Sequence, residues 1–243
     1  MTRRRWIADE INGDTAALTG DHAAHLSRTL RAEVGQQFDI AIRDTVRRGT
    51  ISAISADRVE FRLGEEVDSA SLPPVTLVLA IFKFDRLEWA IEKCTEIGVA
   101  RVIPVIAHRT DSHLAAAAAK RGERWQRIAR QAAEQSRRTA PPEIAAPVKL
   151  KDLPATLSAL PEAGRAAPRI VLAESGGDIL LREALPSDAD GVTLAVGPEG
   201  GWTDVELQWF HDSGWLAASL GDTILRAETA AIVATALALD ALR

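Results

Sequence analysis

Two glycine-bearing segments near the end of the sequence, and one basic segment in its middle, have residue types and spacing that a ligand site needs. The first is Leu194-Ala195-Val196-Gly197-Pro198-Glu199-Gly200-Gly201-Trp202-Thr203. An apolar run enters a glycine-rich loop, and Thr203 or Asp204 can then cap a helix. Glycine lets backbone approach a ligand closely and adopt positive φ. The carboxyl end of a strand is also where open α/β sheets bind ligands. For a glycine-rich loop alone, a plain tight turn has equal weight. The spacing fits neither the dinucleotide fingerprint nor a P-loop, because no Lys-Ser/Thr follows.

The second segment is Ser219-Leu220-Gly221-Asp222-Thr223-Ile224-Leu225-Arg226-Ala227-Glu228-Thr229-Ala230. A strand ending in Gly221 passes through a polar turn into an apolar helix. Gly197 and Gly221 are expected to end adjacent strands and flank one pocket. Glu228 suits a helix N-terminus, but Arg226 does not, since its charge opposes the helix dipole. That arginine needs a compensating anion or a structural carboxylate.

The third segment, residues 120–138, has seven Lys/Arg against two Glu, a local charge of +5 in a chain whose net charge is −5. Lys120, Arg124 and Arg127 share one helical face, with Trp125, Ile128 and Ala132 towards the other. Such a face suits phosphate contacts, although a charge run is more often a solvated surface. Arginines near the start, among them Arg3, Arg4 and Arg31, extend the basic surface, diluted by acidic neighbours.

Composition excludes several classes. With 243 residues, 47% of them hydrophobic, the chain can bury a core unaided. Its single cysteine, Cys94, precludes an internal disulfide or a cysteine-rich zinc site. The five histidines form no metal pattern, so no metal is expected, and no Gly-x-Ser-x-Gly nucleophile motif is present. The basic start is not followed by an apolar signal core. The longest apolar run, residues 230–239, is far too short to span a bilayer. A cytoplasmic protein with no membrane partner is the expectation.

These segments need elements to position them. To about residue 68 the chain alternates short half-buried strands (residues 38–42, 49–54 and 58–63) with turns, and residues 22–31 read as one short helix. A small β-barrel is the natural inference, followed by a linker at residues 67–74 with paired prolines. Afterwards the apolar runs at 75–82 and 99–107 read as strands buried on both faces. Asp85 is placed to cap the helix between them and Gly98 to end it. Further strands are expected at 169–173, 192–196 and 215–220. Alternating strands and helices imply a mostly parallel sheet covered by helices, an α/β domain.

Taken in order, these segments resemble the ribosomal RNA small-subunit methyltransferase E family, within the SPOUT (trefoil-knotted) methyltransferases. The resemblance rests on Gly197-Pro198-Glu199-Gly200-Gly201 and on Leu220-Gly221 leading to Ile224-Leu225-Arg226-Ala227-Glu228-Thr229-Ala230. Lys93-Cys94-Thr95-Glu96-Ile97-Gly98-Val99, Arg124-Trp125 through Glu134-Gln135-Ser136-Arg137, and His25-Leu26 with Leu30-Arg31 extend it nearly end to end. It implies a PUA-like β-barrel for RNA over residues 1–70 and a parallel-sheet methyltransferase domain, threaded into a trefoil knot, over residues 71–243. It also implies a homodimer acting on small-subunit ribosomal RNA or the assembled 30S subunit. Thr223 stands where relatives often carry a basic residue, and Trp202 where Phe is common.

The implied cofactor is S-adenosyl-L-methionine, in an adenosyl pocket formed by Leu172, Ala173, Val196, Gly197, Gly200, Leu220, Gly221, Ile224 and Leu225. The implied reaction is methylation of uracil N3. That nitrogen carries a proton, so the site must offer a base or stabilise the uracil anion. Arg226 is assigned the second role, and Glu199 and Glu228 are candidate bases or organisers. Arg3, Arg4, Arg31, Lys120, Arg124, Arg127 and Arg137 are the candidate RNA contacts. Competing readings are another knotted methyltransferase, acting on tRNA or a ribose 2′-hydroxyl, and a non-catalytic RNA-binding assembly factor.

Overall fold

The computed structural model describes residues 5–42, 45–68, 72–159, 167–173, 179–186 and 188–242. The chain divides into two compact units, Met1–Ser71 with Ala133–Pro141, and Leu72–Ala132 with Pro142–Arg243.

In the first unit the order is β1 (Arg5–Ile7), β2 (Glu10–Asn12), β3 (Thr15–Thr19), α1 (Gly20–Ala24), β4 (Gln37–Ile42), β5 (Thr45–Ile54) and β6 (Arg58–Glu66). The strands form one six-stranded sheet in the order β1-β4-β5-β6-β3-β2, antiparallel except for β1 with β4. Its two edge strands, β1 and β2, are joined by only Ala8 and Asp9, so the sheet must curl round to bring its edges together. Leu18, Ile40, Ile51, Val59 and Phe61 are fully buried or nearly so and fill the curl, together with Leu26. The helix expected at 22–31 is instead α1 continued by a π-helical turn, His25–Thr29. Local periodicity does not distinguish these two ladders.

The second unit contains β7 (Val75–Ala80), α2 (Phe84–Ile97), β8 (Arg101–Ile106), α3 (Ser112–Ala118), α4 (Gly122–Gln135), β9 (Glu143–Ile144), β10 (Val148–Lys149), α5 (Leu153–Ser158), β11 (Arg169–Leu172), α6 (Leu181–Ala184), β12 (Val192–Val196), α7 (Asp204–Asp212), β13 (Leu216–Ala218) and α8 (Ala227–Ala241). The last turn of α4 clusters with the first unit. The sheet is parallel throughout, in the order β10-β8-β7-β12-β11-β13, with β9 also pairing β8.

Both faces of this sheet are covered. Leu77 and Leu79 of β7 meet Leu87, Ile91 and Cys94 of α2 and the alanines Ala231, Ala234 and Ala238 of α8. Val78 and Ala80 face the other way, in a cluster with Ile103, Ala195, Leu153 and Phe210. This explains why β7 and β12 read as unbroken apolar runs.

Two local expectations need correction. Asp85 lies inside the first turn of α2, and the N-cap is Lys83, whose side chain makes no cap. The acidic residue therefore acts on the helix dipole rather than as a cap. The strands ending at Gly197 and Gly221 are not adjacent, because β11 lies between β12 and β13. Gly98 does end α2, with φ 129°, and Thr203 caps α7 in a reciprocal box with Glu206.

Candidate active site

A cavity of about 300 Å³ opens at the carboxyl ends of β11, β12 and β13. The turn after β8 contributes Arg109, and the end of β11 contributes Leu172 and Ala173. The loop after β12 supplies Val196 through Trp202, and the segment after β13 supplies Ser219 through Leu225. Although β11 separates their strands, Gly197 and Gly221 line the same cavity. All nine residues expected around the cofactor line it: Leu172, Ala173, Val196, Gly197, Gly200, Leu220, Gly221, Ile224 and Leu225.

Backbone geometry explains the glycines. Gly221 has φ +121°, a conformation other residues rarely adopt, and open space where a side chain would begin. Ile224 is 80% exposed on the wall. An apolar side chain left uncovered beside a glycine-lined hollow is what a flat apolar ligand would cover.

Two arginines that the sequence reading missed hold the glycine-rich loop. The Arg109 guanidinium donates to the carbonyl oxygens of Gly200 and Trp202. Arg86, in the first turn of α2, donates from Nη1 to Glu199 Oε1 at 3.0 Å, and its Nε lies 3.8 Å from Glu228 Oε1. Arg109 follows a strand of the sheet, so the strand-end rule could have found it. No local signal marks Arg86.

The three residues expected at the reacting centre are placed differently. Glu199 lines the cavity. Glu228 is 4% exposed and lies outside the lining, with Oε2 buried and without a hydrogen-bond partner among the described residues. Arg226 is the N-cap residue of α8, between the lining residues Leu225 and Ala227. Its side chain is exposed and has no ion pair or hydrogen bond among the described residues. The carboxylates that could have compensated it face Arg86 instead.

Of the expected RNA contacts, Arg3 and Arg4 lie outside the described residues. Arg124 and Arg127 are exposed in the first turns of α4, with Trp125 fully buried beneath, whereas Lys120, also exposed, lies in the 3-10 turn Ala119–Arg121 that precedes the helix. Arg124 is not a free cation. It forms a bidentate pair with Glu88, at 2.7 and 2.8 Å, and this hydrogen bonding holds its guanidinium above its ordinary pKa. Heptad position on α4 could not reveal a partner on α2.

Arg31 and Arg137, both in the first unit, are exposed and take left-handed backbone, with φ 51° and 59°. Arg137 ends α4 in a Schellman turn, in which the N–H of Arg138 donates to Ala133 and that of Arg137 to Glu134. Glycine is the usual occupant of such a position. Next to it, burial pulls Arg138 down to about 10, so it remains charged at neutral pH. No group of histidine, cysteine and carboxylates that could hold a metal occurs among the described residues. No helix there is long and apolar enough to cross a membrane.

The parallel α/β unit and its glycine-walled cavity are those of an RNA methyltransferase, and the RNA methyltransferase domain family matches residues 69–239. The ribosomal RNA small subunit methyltransferase E of Synechocystis is 34% identical over 97% of this chain and 77% of its own length. The enzyme of that name from Bacillus subtilis is 29% identical over 90% and 88%. That of Neisseria gonorrhoeae, crystallised bound to S-adenosyl methionine, superposes with a TM-score of 0.81 at 26% identity over 97% and 96% of the two chains. The chain belongs to the ribosomal RNA small subunit methyltransferase E family.

Proposed function

We propose that this chain methylates N3 of a uridine in small-subunit (16S) ribosomal RNA, using S-adenosyl-L-methionine. The observation that carries the reading is the cavity, whose wall is made of the residues the family motifs occupy. The cofactor, when bound, supplies a methyl carbon activated by a positive sulfur. The protein's part is then to orient the two reactants and adjust charge. Leu172, Val196, Leu220, Ile224 and Leu225 would enclose the adenine, while backbone at Ala173, Gly197, Gly200 and Gly221 lines the cavity, with open space where a side chain on Gly221 would begin.

On the RNA side, Arg226 is an exposed cation without a partner among the described residues, between the lining residues Leu225 and Ala227, and is suited to stabilise the uracil anion once N3 loses its proton. Glu199 lines the cavity and is the better placed of the two carboxylates to accept that proton. Glu228 suits the organising role, being buried against Arg86. The curled first unit is assigned RNA binding through Arg31 and Arg137, and α4 with the turn before it adds Arg127 and Lys120. A homodimer fits the apolar surface left on the second unit, where Leu237 of α8 is 38% exposed and Trp89 of α2 48%. A trefoil knot in the sheet domain and a cytoplasmic location belong to the same reading.

Nucleoside mass spectrometry of 16S ribosomal RNA from a strain lacking the gene tests it. Loss of N3-methyluridine, restored by complementation, is expected. Unchanged 16S modification, or loss of a tRNA or ribose methyl group, would contradict it.

A further inference from the structure

We propose that Arg86 is a positioning residue for the cofactor cavity, holding the glycine-rich loop through Glu199 and the start of α8 through Glu228. The proposal rests on the cofactor reading above. Glu199 belongs to the loop that forms one wall, and Glu228 sits between Ala227 and Ala230, which line the other. Neither wall is tied to the other directly by these side chains; both are tied to α2 through one guanidinium.

The two contacts do different work. At 3.0 Å the bond to Glu199 is charge-assisted and directional, so it fixes an otherwise exposed carboxylate and the glycines around it. At 3.8 Å the contact with Glu228 is an ion pair without a hydrogen bond. Glu228 is 4% exposed, and Arg86 is the cation within 4 Å of it among the described residues. A buried carboxylate needs such a counter-charge, which the N-terminus of α8 supplies only in part. The planar fork of arginine presents Nη1 and Nε to two separate carboxylates at once. A lysine ammonium has one charged point to offer.

The test compares wild type, Arg86→Ala, Arg86→Lys and the double variant Arg86→Ala/Glu228→Gln. It uses calorimetry with S-adenosylmethionine, thermal melting, and amide hydrogen exchange over residues 197–202 without cofactor. Arg86→Ala is expected to bind the cofactor at least fivefold more weakly and to exchange faster in that loop, with Arg86→Lys between it and wild type. The double variant has no uncompensated buried carboxylate. It should therefore recover melting temperature while keeping the weak binding and fast loop exchange, since Glu199 is still unanchored. If Arg86→Ala does not fold, the double variant alone carries the comparison. Wild-type affinity and loop exchange without Arg86 would overturn the proposal. So would a double variant that regains affinity along with stability, because the role would then be structural only. A wild-type protein that binds no S-adenosylmethionine would overturn the cofactor reading instead, and loop exchange would still judge Arg86.

Discussion

A Cβ atom on Gly197 would lie 3.2 Å from the indole Nε1 of Trp202, five residues further round the same loop. The indole cannot easily give way. It is 6% exposed and packs edge-on against Phe210, with ring centroids 4.9 Å apart. The glycine at the end of β12 is thus required by packing within the loop. Gly197→Ala should move the indole or the loop and weaken S-adenosylmethionine binding about tenfold, roughly 1.4 kcal/mol. Calorimetry beside a melting curve checks this, and unchanged affinity would mean that the loop can relax.

Arg226 is the N-cap residue of α8, beside the cavity. Its side chain is exposed and has no partner among the described residues, at a helix start that disfavours its charge. Arg226→Ala should leave melting temperature and cofactor affinity close to wild type while slowing single-turnover methylation by ~10²-fold, the scale for losing one preorganised charge. If the residue only binds RNA, saturating RNA should restore the rate. A wild-type rate would end the catalytic assignment.

Arg31 and Arg137 sit in left-handed backbone, where glycine would be unstrained. Replacing either with glycine should therefore stabilise the protein by up to about 1 kcal/mol. The same change should weaken ribosomal RNA binding and flatten its salt dependence by roughly one unit of slope for each lost contact. A stabilised variant with an unaltered salt slope would remove that arginine from the RNA surface.

Cys94 is fully buried between α2 and α8, 3.5 Å from the hydroxyl of Thr235, and burial pushes its thiol up to about 12 from an ordinary 9.0. The thiolate is what reacts, so native Cys94 should resist alkylation at pH 8 and react only on unfolding. Because the folded value is raised, its contribution to stability is present below pH 9 and is lost as pH rises towards 12. Rapid labelling of the native protein at pH 8 would contradict the packing.

Much of the second unit was legible because its signals are local. Buried strands show as unbroken apolar runs, and Gly98 and Thr203 mark helix ends by their own chemistry. The cavity wall followed from the family motifs at the ends of β12 and β13. What stayed hidden depends on contacts between distant segments. Arg86 and Glu199 are 113 residues apart, and Arg109 and Gly200 are 91 apart. Nothing beside Arg86 distinguishes it from a solvated arginine in a first helical turn. The same reason hid the partner of Arg124, and sheet order placed β11 between the strands of Gly197 and Gly221.

Whether this protein is a uracil-N3 methyltransferase is decided by incubating it, purified, with S-adenosylmethionine and, separately, with protein-free 16S ribosomal RNA and 30S subunits from a strain lacking the gene. Digested nucleosides are then quantified by mass spectrometry. N3-methyluridine should approach one per 16S molecule on at least one of these substrates, with no ribose methylation. No methyl transfer to either substrate, or transfer to a ribose hydroxyl, would contradict it.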